Sequence, residues 1–291
     1  MTSTLGLSFL ALLLLLGALE FAWLGAVRRR RLPWGEVGAS LAIMVGRRLA
    51  QLAAAALTLP LFYWLWEHRL WQLPLDGVAA WTLAFLAVEF CYYWEHRLHH
   101  RVRWMWAAHR THHSPNHFTI LTTSRTAVTG LLSGAWIFFL PLPLLGIHPA
   151  AVYFLLLLNL TYQIWLHTEL LPKLGPLEWL LNTPSHHRVH HAVNGPYLDR
   201  NFGGVLIVFD RLFGSFAAER AEEPCRYGLV KPERSHNPLA IVFREYGAIL
   251  RDLRRARGLR EAVGYLLGRP GWTPEDRPPP LPSGERPAPL S

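Results

Sequence analysis

The 291-residue sequence has few cysteines and few charged residues. Its two cysteines, Cys91 and Cys225, cannot build a disulfide framework and do not form a Cys-x-x-Cys metal motif, which excludes a disulfide-stapled secreted domain. Charged residues make up only 17% of the chain and hydrophobic residues 51%, a balance that excludes a fully disordered protein. The sequence does contain 15 histidines and a net charge of +9. This composition predicts a basic, histidine-rich membrane protein.

Clustered apolar residues predict an all-α membrane protein with about four to five transmembrane or re-entrant helices. Residues 5–27 are apolar except for Glu20, and a helix of this length crosses a hydrocarbon core of about 30 Å. The cluster Arg28–Arg31 follows this stretch instead of preceding it, which predicts a membrane anchor and not a cleaved signal peptide. The other apolar segments are 49–66, 77–95, 126–146 and 149–167, of which the last two form a predicted membrane hairpin, 126–167.

Charge asymmetry predicts the orientation of these segments. If Arg28–Arg31 lie in the cytoplasm, the connection 97–125 also faces the cytoplasm, and it contains five arginines and no acidic residue. The connection 67–76 then faces the opposite side, and its net charge is −1. We therefore predict a multi-pass protein of the inner or plasma membrane. The positive charge is explained by membrane orientation, and we predict no nucleic-acid partner.

Eleven of the 15 histidines lie in two short windows, 96–117 and 186–191. Their spacing is typical of helices, because residues three and four apart lie on the same helix face. Pro115 is predicted to end the helix in the first window, and Thr183 with Pro184 is predicted to begin the helix in the second. Each helix should present its imidazoles in one direction, and the clusters are His96 and His100; His109, His112 and His113; and His187, His190 and His191.

The histidines are too numerous for a single metal ion, since zinc takes four ligands. Two ions with about four or five histidines each would use the whole set, and imidazole is also a good ligand for iron. A redox-active pair of metal ions beside a bilayer indicates oxidation of a lipid C–H bond with O₂. His167 lies alone at the end of the last apolar segment and is predicted to be a further ligand.

The remaining histidines are predicted to have other roles. His68, His148 and His236 are isolated and are predicted to be ordinary surface or interface residues. His99 and His186 lie beside the clusters and are predicted to support the ligands. The sequence leaves the role of His117 open.

Three stretches carry a family resemblance: YYWEHRLHH at 92–100, WAAHRTHHS at 106–114 and TPSHHRVHH at 183–191. They resemble the three histidine boxes of the fatty acid hydroxylase/sterol desaturase superfamily. The stretches HTE at 167–169, YLDRNFGG at 197–204 and DRLFGSF at 210–216 are most similar to its alkylglycerol monooxygenase branch. The resemblance covers roughly residues 85–216.

The resemblance implies a membrane-embedded non-haem centre with two iron ions. It places the ligand role on nine histidines of this sequence: His96, His100, His109, His112, His113, His167, His187, His190 and His191. Gln163 stands where some members have another histidine, and it is predicted to be a ligand through water or a supporting residue. Glu89 stands where aspartate is common and is predicted to accept a hydrogen bond from a ligand imidazole. Asn194 and Arg125 also match family positions near the site; Asn194 is expected to support the ligands, and Arg125 has no assigned role.

Together, the pattern and the resemblance divide the chain into four regions. Residues 1–84 form N-terminal transmembrane helices, and residues 85–216 form a catalytic domain in which a cytoplasmic helical cap carries the metal site. Residues 217–268 form a cytoplasmic helical region. Residues 269–291 contain eight of the 22 prolines and are predicted to be a disordered tail.

The function predicted from these features is O₂-dependent hydroxylation of a lipid C–H bond. The substrate would be fatty acyl, alkylglycerol or sterol-like, and electrons would come from an external reductant, either tetrahydrobiopterin or a separate redox protein. Desaturation by the same two iron ions is an alternative that the sequence leaves open. An alternative from another class is a metal-transport or haem-binding membrane protein, although haem predicts axial histidine pairs and transport predicts polar ligands deep within several spans.

Overall fold

The structure, a computed structural model, describes residues 2–27 and 33–274, and helices are the regular secondary structure in these ranges. Its α-helices are α1 Thr2–Ala26, α2 Trp34–Glu67, α3 Val78–Arg101, α4 Arg103–His113, α5 Gly130–Ser133, α6 Pro141–Leu144, α7 Pro149–Tyr162, α8 Pro184–His191, α9 Val208–Leu212, α10 Pro238–Leu253 and α11 Leu259–Leu267. Short 3₁₀ helices span Thr122–Ser124, Ala135–Phe139, Gln163–Leu166, Gly175–Trp179 and Gly195–Tyr197. Within these ranges there is no β-strand, and only isolated bridges join Leu181 with Leu206 and Ala192 with Tyr227.

Among the described residues, two helical segments are long and apolar enough to cross a membrane, Trp34–Glu67 and Pro149–Leu166. The predicted segment 49–66 lies inside α2, which begins 15 residues earlier and is 34 residues long. α3 begins close to the predicted segment 77–95 but continues to Arg101, so its second half carries acidic, basic and histidine side chains. The arrangement with five segments stays a prediction, and the Arg28–Arg31 cluster that orients it lies outside the described residues.

The predicted membrane segment 126–146 does not form one continuous helix. It is divided into α5, the 3₁₀ helix Ala135–Phe139 and α6. Gly134 separates the first two with a left-handed backbone (φ +81°), and Pro141 and Pro143 each remove a backbone N–H. Its partner in the predicted hairpin, 149–167, is helical as α7 and the 3₁₀ helix that follows. The apolar composition of 126–146 therefore did not predict that the segment is divided into short helices.

A hydrophobic core joins α2, α3 and α7 below the histidine-rich helices. Ala84 and Val88 of α3 are fully buried against Val152 and Leu155 of α7, and Phe62 of α2 closes the same cluster. Because this core fixes the direction of α3, it also fixes where the end of α3 places its histidines.

The C-terminal helices pack onto the histidine-bearing helix α4. Arg103, at the start of α4, forms ion pairs with Glu245 (2.8 Å) and Asp252 (2.7 Å) of α10. Arg110 donates to the Ile241 carbonyl at 3.2 Å. Beyond α11, Trp272 packs edge-on against Tyr265, with ring centroids 5.3 Å apart. The rest of the predicted tail, residues 275–291, lies outside the described residues.

Candidate metal centre

All nine histidines predicted as ligands lie together, in two adjacent groups. Within each group, one nitrogen of every imidazole lies within 4.8 Å of the others. Group A consists of His96, His100, His109, His113 and His190. Group B consists of His112, His167, His187 and His191. The structure thus divides the histidines into five and four, the division that two metal ions would require.

Helix periodicity explains how two short helices supply both groups. On α4, His109 and His113 are four residues apart and both belong to group A, whereas His112 belongs to group B. On α8, His187 and His191 are four residues apart and both belong to group B, whereas His190 belongs to group A. Each helix therefore contributes two imidazoles to one group and one imidazole to the other. The predicted helical spacing is confirmed, but the clusters on α4 and α8 each contribute to both groups.

The remaining members come from α3 and from the end of the last apolar segment. His96 and His100 lie one turn apart near the C-terminus of α3 and belong to group A. His167 follows the 3₁₀ helix Gln163–Leu166 and belongs to group B.

Backbone carbonyls fix the tautomer of four imidazoles. The Nδ1–H groups donate to carbonyl oxygens in the pairs His96–Phe202 (2.8 Å), His112–Arg125 (2.9 Å), His167–Gln163 (2.8 Å) and His190–Arg200 (2.9 Å). A carbonyl oxygen only accepts, so the proton of each neutral ring must be on Nδ1. The unprotonated Nε2 atom is then directed into the group, as in a metal ligand oriented by an outer hydrogen bond.

A contact in group B shows that these nitrogens fit a cation. His112 Nε2 and His167 Nε2 lie 3.3 Å apart, although both rings already carry their proton on Nδ1. When both rings are neutral, neither Nε2 atom carries a proton, so their two lone pairs face and repel each other. A cation bound by both nitrogens would remove this repulsion. His187 Nε2 also lies 2.9 Å from His167 Nε2.

Burial keeps the imidazoles neutral, as metal binding requires. Burial lowers the pKa of His112 to about 4 and that of His190 to about 3. Burial and then repulsion by neighbouring histidines lower the pKa of His100 and His191 well below the usual value. The Nε2 atoms of His100, His190 and His191 are buried without a hydrogen-bond partner. Together, the neutral rings and the unpartnered nitrogens form a donor set that fits two metal ions.

The loop after α8 supports group A. Asp210 accepts hydrogen bonds from the Phe202 amide (2.8 Å), the Gly203 amide (2.7 Å) and the Ser215 hydroxyl (2.7 Å). Asp199 and Asn201 both have φ +57°, a left-handed conformation that reverses the chain at this point. The loop consequently presents the carbonyls of Arg200 and Phe202 to His190 and His96.

A chain of buried hydrogen bonds runs beneath the two groups. Tyr92 donates to Gln163 Oε1 (3.0 Å), Gln163 Nε2 donates to Asn159 Oδ1 (2.7 Å), and Asn159 Nδ2 donates to Glu89. The other Glu89 oxygen accepts from the backbone amides of Val205 and Leu206, both at 2.9 Å. The structure therefore links the segment that carries His167 to the loop that supports group A.

The structure changes the roles predicted for Glu89 and Gln163. Glu89 does not accept from a ligand imidazole, because both of its oxygens are used by Asn159 and by the two loop amides. The side chain of Gln163 is used by Tyr92 and Asn159, and its contribution to the site is the backbone carbonyl that orients His167. The side chains of both residues thus support the site through other residues and do not contact the imidazoles.

Arg125, which had no predicted role, and Asn194, which was predicted to support the ligands, both anchor loops. Arg125 is 1% exposed, and its guanidinium donates to Ser40 Oγ, Ser114 Oγ and the Glu36 carbonyl at 2.9–3.1 Å. This arrangement holds the Arg125 carbonyl against His112. Asn194 instead accepts from the Arg226 amide (2.8 Å) and contacts no imidazole in the described bonds.

The other histidines lie outside both groups. His99 contacts the Glu95 carbonyl (2.9 Å) and Ser133 (3.2 Å), and His186 lies 3.8 Å from Glu178. His117 is exposed and lies 3.2 Å from Glu36, so its position indicates a surface role. His148 caps α7 by accepting from the Ala150 amide at 3.2 Å, and His68 and His236 are exposed.

Sequence reasoning missed several supporting residues, and the missed set is Glu20, Ser40, Phe118, Asn159 and Asp210. Asp210 stands in a stretch that carried the family resemblance, so a signal for it was present. Ser40 and Glu20 lie on α2 and α1, two mainly apolar helices whose sequences give no local signal that these side chains contact the histidine-bearing segments.

Comparisons with known proteins agree with this geometry. Residues 81–215 match the Fatty acid hydroxylase family. Human alkylglycerol monooxygenase is 41% identical over 236 residues, which cover 81% of this chain and 52% of the human protein. The Xenopus tropicalis alkylglycerol monooxygenase is 36% identical over 267 residues, which cover 91% of this chain and 58% of that protein. An ornithine lipid hydroxylase from Rhizobium tropici is 29% identical over 142 residues, 47% of this chain and 43% of the relative.

The chain spans about half the length of the curated alkylglycerol monooxygenases it matches. No solved structure matches it. The matched region contains every histidine of groups A and B and the Asp210 loop that supports group A. The resemblance predicted from the histidine boxes is confirmed: residues 81–215 form a fatty acid hydroxylase domain.

Proposed function

We propose that the protein is a membrane-bound non-haem di-iron oxygenase that hydroxylates a C–H bond of a lipid with O₂. The observation that carries the proposal is the division of nine buried or half-buried, neutral imidazoles into two adjacent groups. Family membership supports lipid hydroxylation as the reaction. The imidazole set alone would also suit other transition metals, so the choice of iron rests on the redox chemistry that the family requires.

The proposed reaction consumes one O₂, two electrons and two protons, and it converts R–H into R–OH and one water. When bound, the two iron ions would supply the activation of O₂ and the oxidation of the C–H bond, which no side chain of this protein can perform. The group A and group B imidazoles would hold the ions, each through a nitrogen whose direction is fixed by the protein. Because the ligands are neutral, they leave the positive charge of the metal pair uncompensated.

The two groups differ in how much space they leave around an ion. Group A offers five imidazoles and group B offers four. Group B would therefore hold an ion with one imidazole fewer, and leave more room beside it for a substrate. Phe118 covers group B, with its ring centroid 5.1 Å from His191 and 5.8 Å from His167. We propose that this apolar contact excludes water from the side of group B.

The proposed substrate is a lipid, and alkylglycerols are the first class to test. Relatives of this chain are named for oxidation of alkylglycerols and of ornithine lipids, which share long hydrocarbon chains but differ in the headgroup. The two apolar helical segments, Trp34–Glu67 and Pro149–Leu166, support placement in a membrane. We further propose a multi-pass arrangement in the inner or plasma membrane, with the histidines on the cytoplasmic side.

We propose that the electrons come from an external reductant. The two candidates are tetrahydrobiopterin and a separate redox protein. They are distinguished by turnover of purified protein, because tetrahydrobiopterin added alone would sustain the reaction only in the first case.

The test is turnover of purified, iron-loaded protein with a lipid panel under ¹⁸O₂. We expect one ¹⁸O atom in the lipid product, and loss of this product in His187→Ala. His148→Ala should retain the product, because His148 only caps α7. A product that has lost two hydrogens without gaining ¹⁸O would identify a desaturase. No oxidised lipid from iron-replete protein with either reductant would contradict the proposal.

A further inference from the structure

Glu20 is an acidic residue in the middle of an otherwise apolar N-terminal stretch. It lies on α1, and its side chain is only 4% exposed. An ionisable side chain in a membrane helix is costly and is usually retained for a function. A simple anchor would be better served by leucine at this position.

The Glu20 carboxylate holds two neighbouring loops. One oxygen accepts from the Thr168 hydroxyl at 2.5 Å, and the other accepts from the Ile120 amide at 2.7 Å. Both partners are uncharged donors, so the contacts define the positions of the loops and do not form an ion pair.

Both loops border group B. Thr168 directly follows His167, and its carbonyl accepts from Arg188 of α8 at 3.1 Å. Ile120 lies two residues after Phe118, the aromatic ring that covers His167 and His191. The two partners of Glu20 are therefore close in sequence to group B: Thr168 is adjacent to His167, and Ile120 is two residues from Phe118.

The packing of α1 fits this role. Leu13 and Phe21 form a buried cluster with Ile120, Leu121 and Ile164. Gly17 allows the close approach, because a Cβ at this position would lie 2.4 Å from the Leu121 side chain. All of these α1 residues lie outside the family-matched region 81–215.

We propose that Glu20 is a positioning residue for group B, so that α1 is a structural part of the metal centre as well as an apolar helix. The inference rests on the proposed function in assuming that group B holds a metal ion. Glu20 acts through Thr168 and Ile120 and does not touch the ion. Its loss should weaken metal binding in group B and leave group A intact.

Cobalt(II) titration of the metal-free protein tests this without relying on oxygenase activity. Wild-type protein should show two binding steps. In Glu20→Leu, we expect the affinity of one step to fall about 10–100-fold, the usual effect of removing an outer support of a metal ligand. Glu20→Gln retains one acceptor oxygen and should show a smaller loss. The matched control is Leu19→Ala, since Leu19 is the neighbouring residue on α1 and is 59% exposed.

A second variant keeps the test decisive if Glu20→Leu does not fold. Thr168→Val removes the hydroxyl that binds Glu20, and it should weaken the same cobalt step. Adding Glu20→Gln to Thr168→Val should then cost less than the sum of the two single changes, because they share one contact.

The outcomes separate this inference from the proposed function. Two wild-type-like cobalt steps in Glu20→Leu or in Thr168→Val would overturn the role of Glu20 and leave the oxygenase proposal standing. Equal weakening of both steps would also overturn it, since Glu20 contacts only loops that border group B, through Ile120 and Thr168. Two normal cobalt steps in a wild-type protein that never oxidises a lipid would contradict the proposed function alone.

Discussion

Groups A and B are built from the same kind of side chain but are supported by different parts of the molecule. Group A receives its outer hydrogen bonds from the carbonyls of Arg200 and Phe202, in a loop held by Asp210. Group B receives them from the carbonyls of Gln163 and Arg125. The four carbonyls and Asp210 lie within residues 81–215, whereas Ser40 and Glu20, whose side chains hold the segments around group B, lie outside this range.

The supports of group B extend into the N-terminal helices. The Arg125 guanidinium is bound by Ser40 and by the Glu36 carbonyl of α2, and Glu20 of α1 holds Thr168 and Ile120. Group A is therefore complete within the family-matched domain, whereas group B depends on α1 and α2. The comparison indicates that apolar N-terminal helices can contribute to a metal centre through single polar side chains.

The largest effect should come from removing a ligand itself. His187→Ala deletes a group B imidazole whose Nε2 lies 2.9 Å from that of His167. We expect more than about a 100-fold loss of lipid hydroxylation, beyond the range seen for outer supports of a metal ligand. The loss is measured as product per folded protein. His148→Ala is the control, and equal loss in both variants would refute the assignment of ligands.

Removing the support of group A should have the next largest effect. Asp210→Ala leaves three buried donors without an acceptor and should lower the unfolding free energy by about 3 kcal/mol. Metal affinity should fall about 10–100-fold in group A. Thermal unfolding and cobalt titration measure the two changes. If group B weakened while group A did not, the two supports would not be separate.

The matching change for group B is smaller. Ser40→Ala removes one of three acceptors of the Arg125 guanidinium, and Ser40 itself is fully buried. We expect a loss of about 1–2 kcal/mol in unfolding free energy. We also expect weaker metal binding in group B alone, by up to about 10-fold. Titration of the same variant would contradict the comparison if group A were the one affected.

The smallest effect should be that of His117→Ala. This side chain is exposed, and its Nδ1 lies 3.2 Å from the buried Glu36 carboxylate, which the Asn116 side chain also binds, so losing this contact should cost about 1 kcal/mol. Metal stoichiometry and hydroxylation should stay at the wild-type level. A lost metal ion in this variant would show that His117 binds metal despite its position outside both groups.

The sequence predicted the helices and histidines of the site because their signals are local. Spacings of three and four residues placed His109, His112 and His113 on one helix, and α4 has that form. Their division between two groups could not be predicted, because it depends on the rotation of α4 relative to α3 and α8. That rotation is set by packing between residues far apart in the chain.

Polar contacts between residues far apart in the chain were also not predictable from the sequence. Glu89 was expected to contact an imidazole, but it binds loop amides at Val205 and Leu206, more than a hundred residues away. Glu20 was visible only as an interruption of an apolar stretch. In the segment 126–146, Gly134 and two prolines signalled a break that the apolar composition outweighed.

The most direct measurement is the number of iron ions per chain after anaerobic loading, with Mössbauer spectra of wild-type, His190→Ala and His187→Ala proteins. The account predicts about two iron ions in the wild type, in two distinguishable environments. His190→Ala should lose the signal of one environment and His187→Ala that of the other. A single ion per chain, or the same spectral change in both variants, would contradict two separate groups.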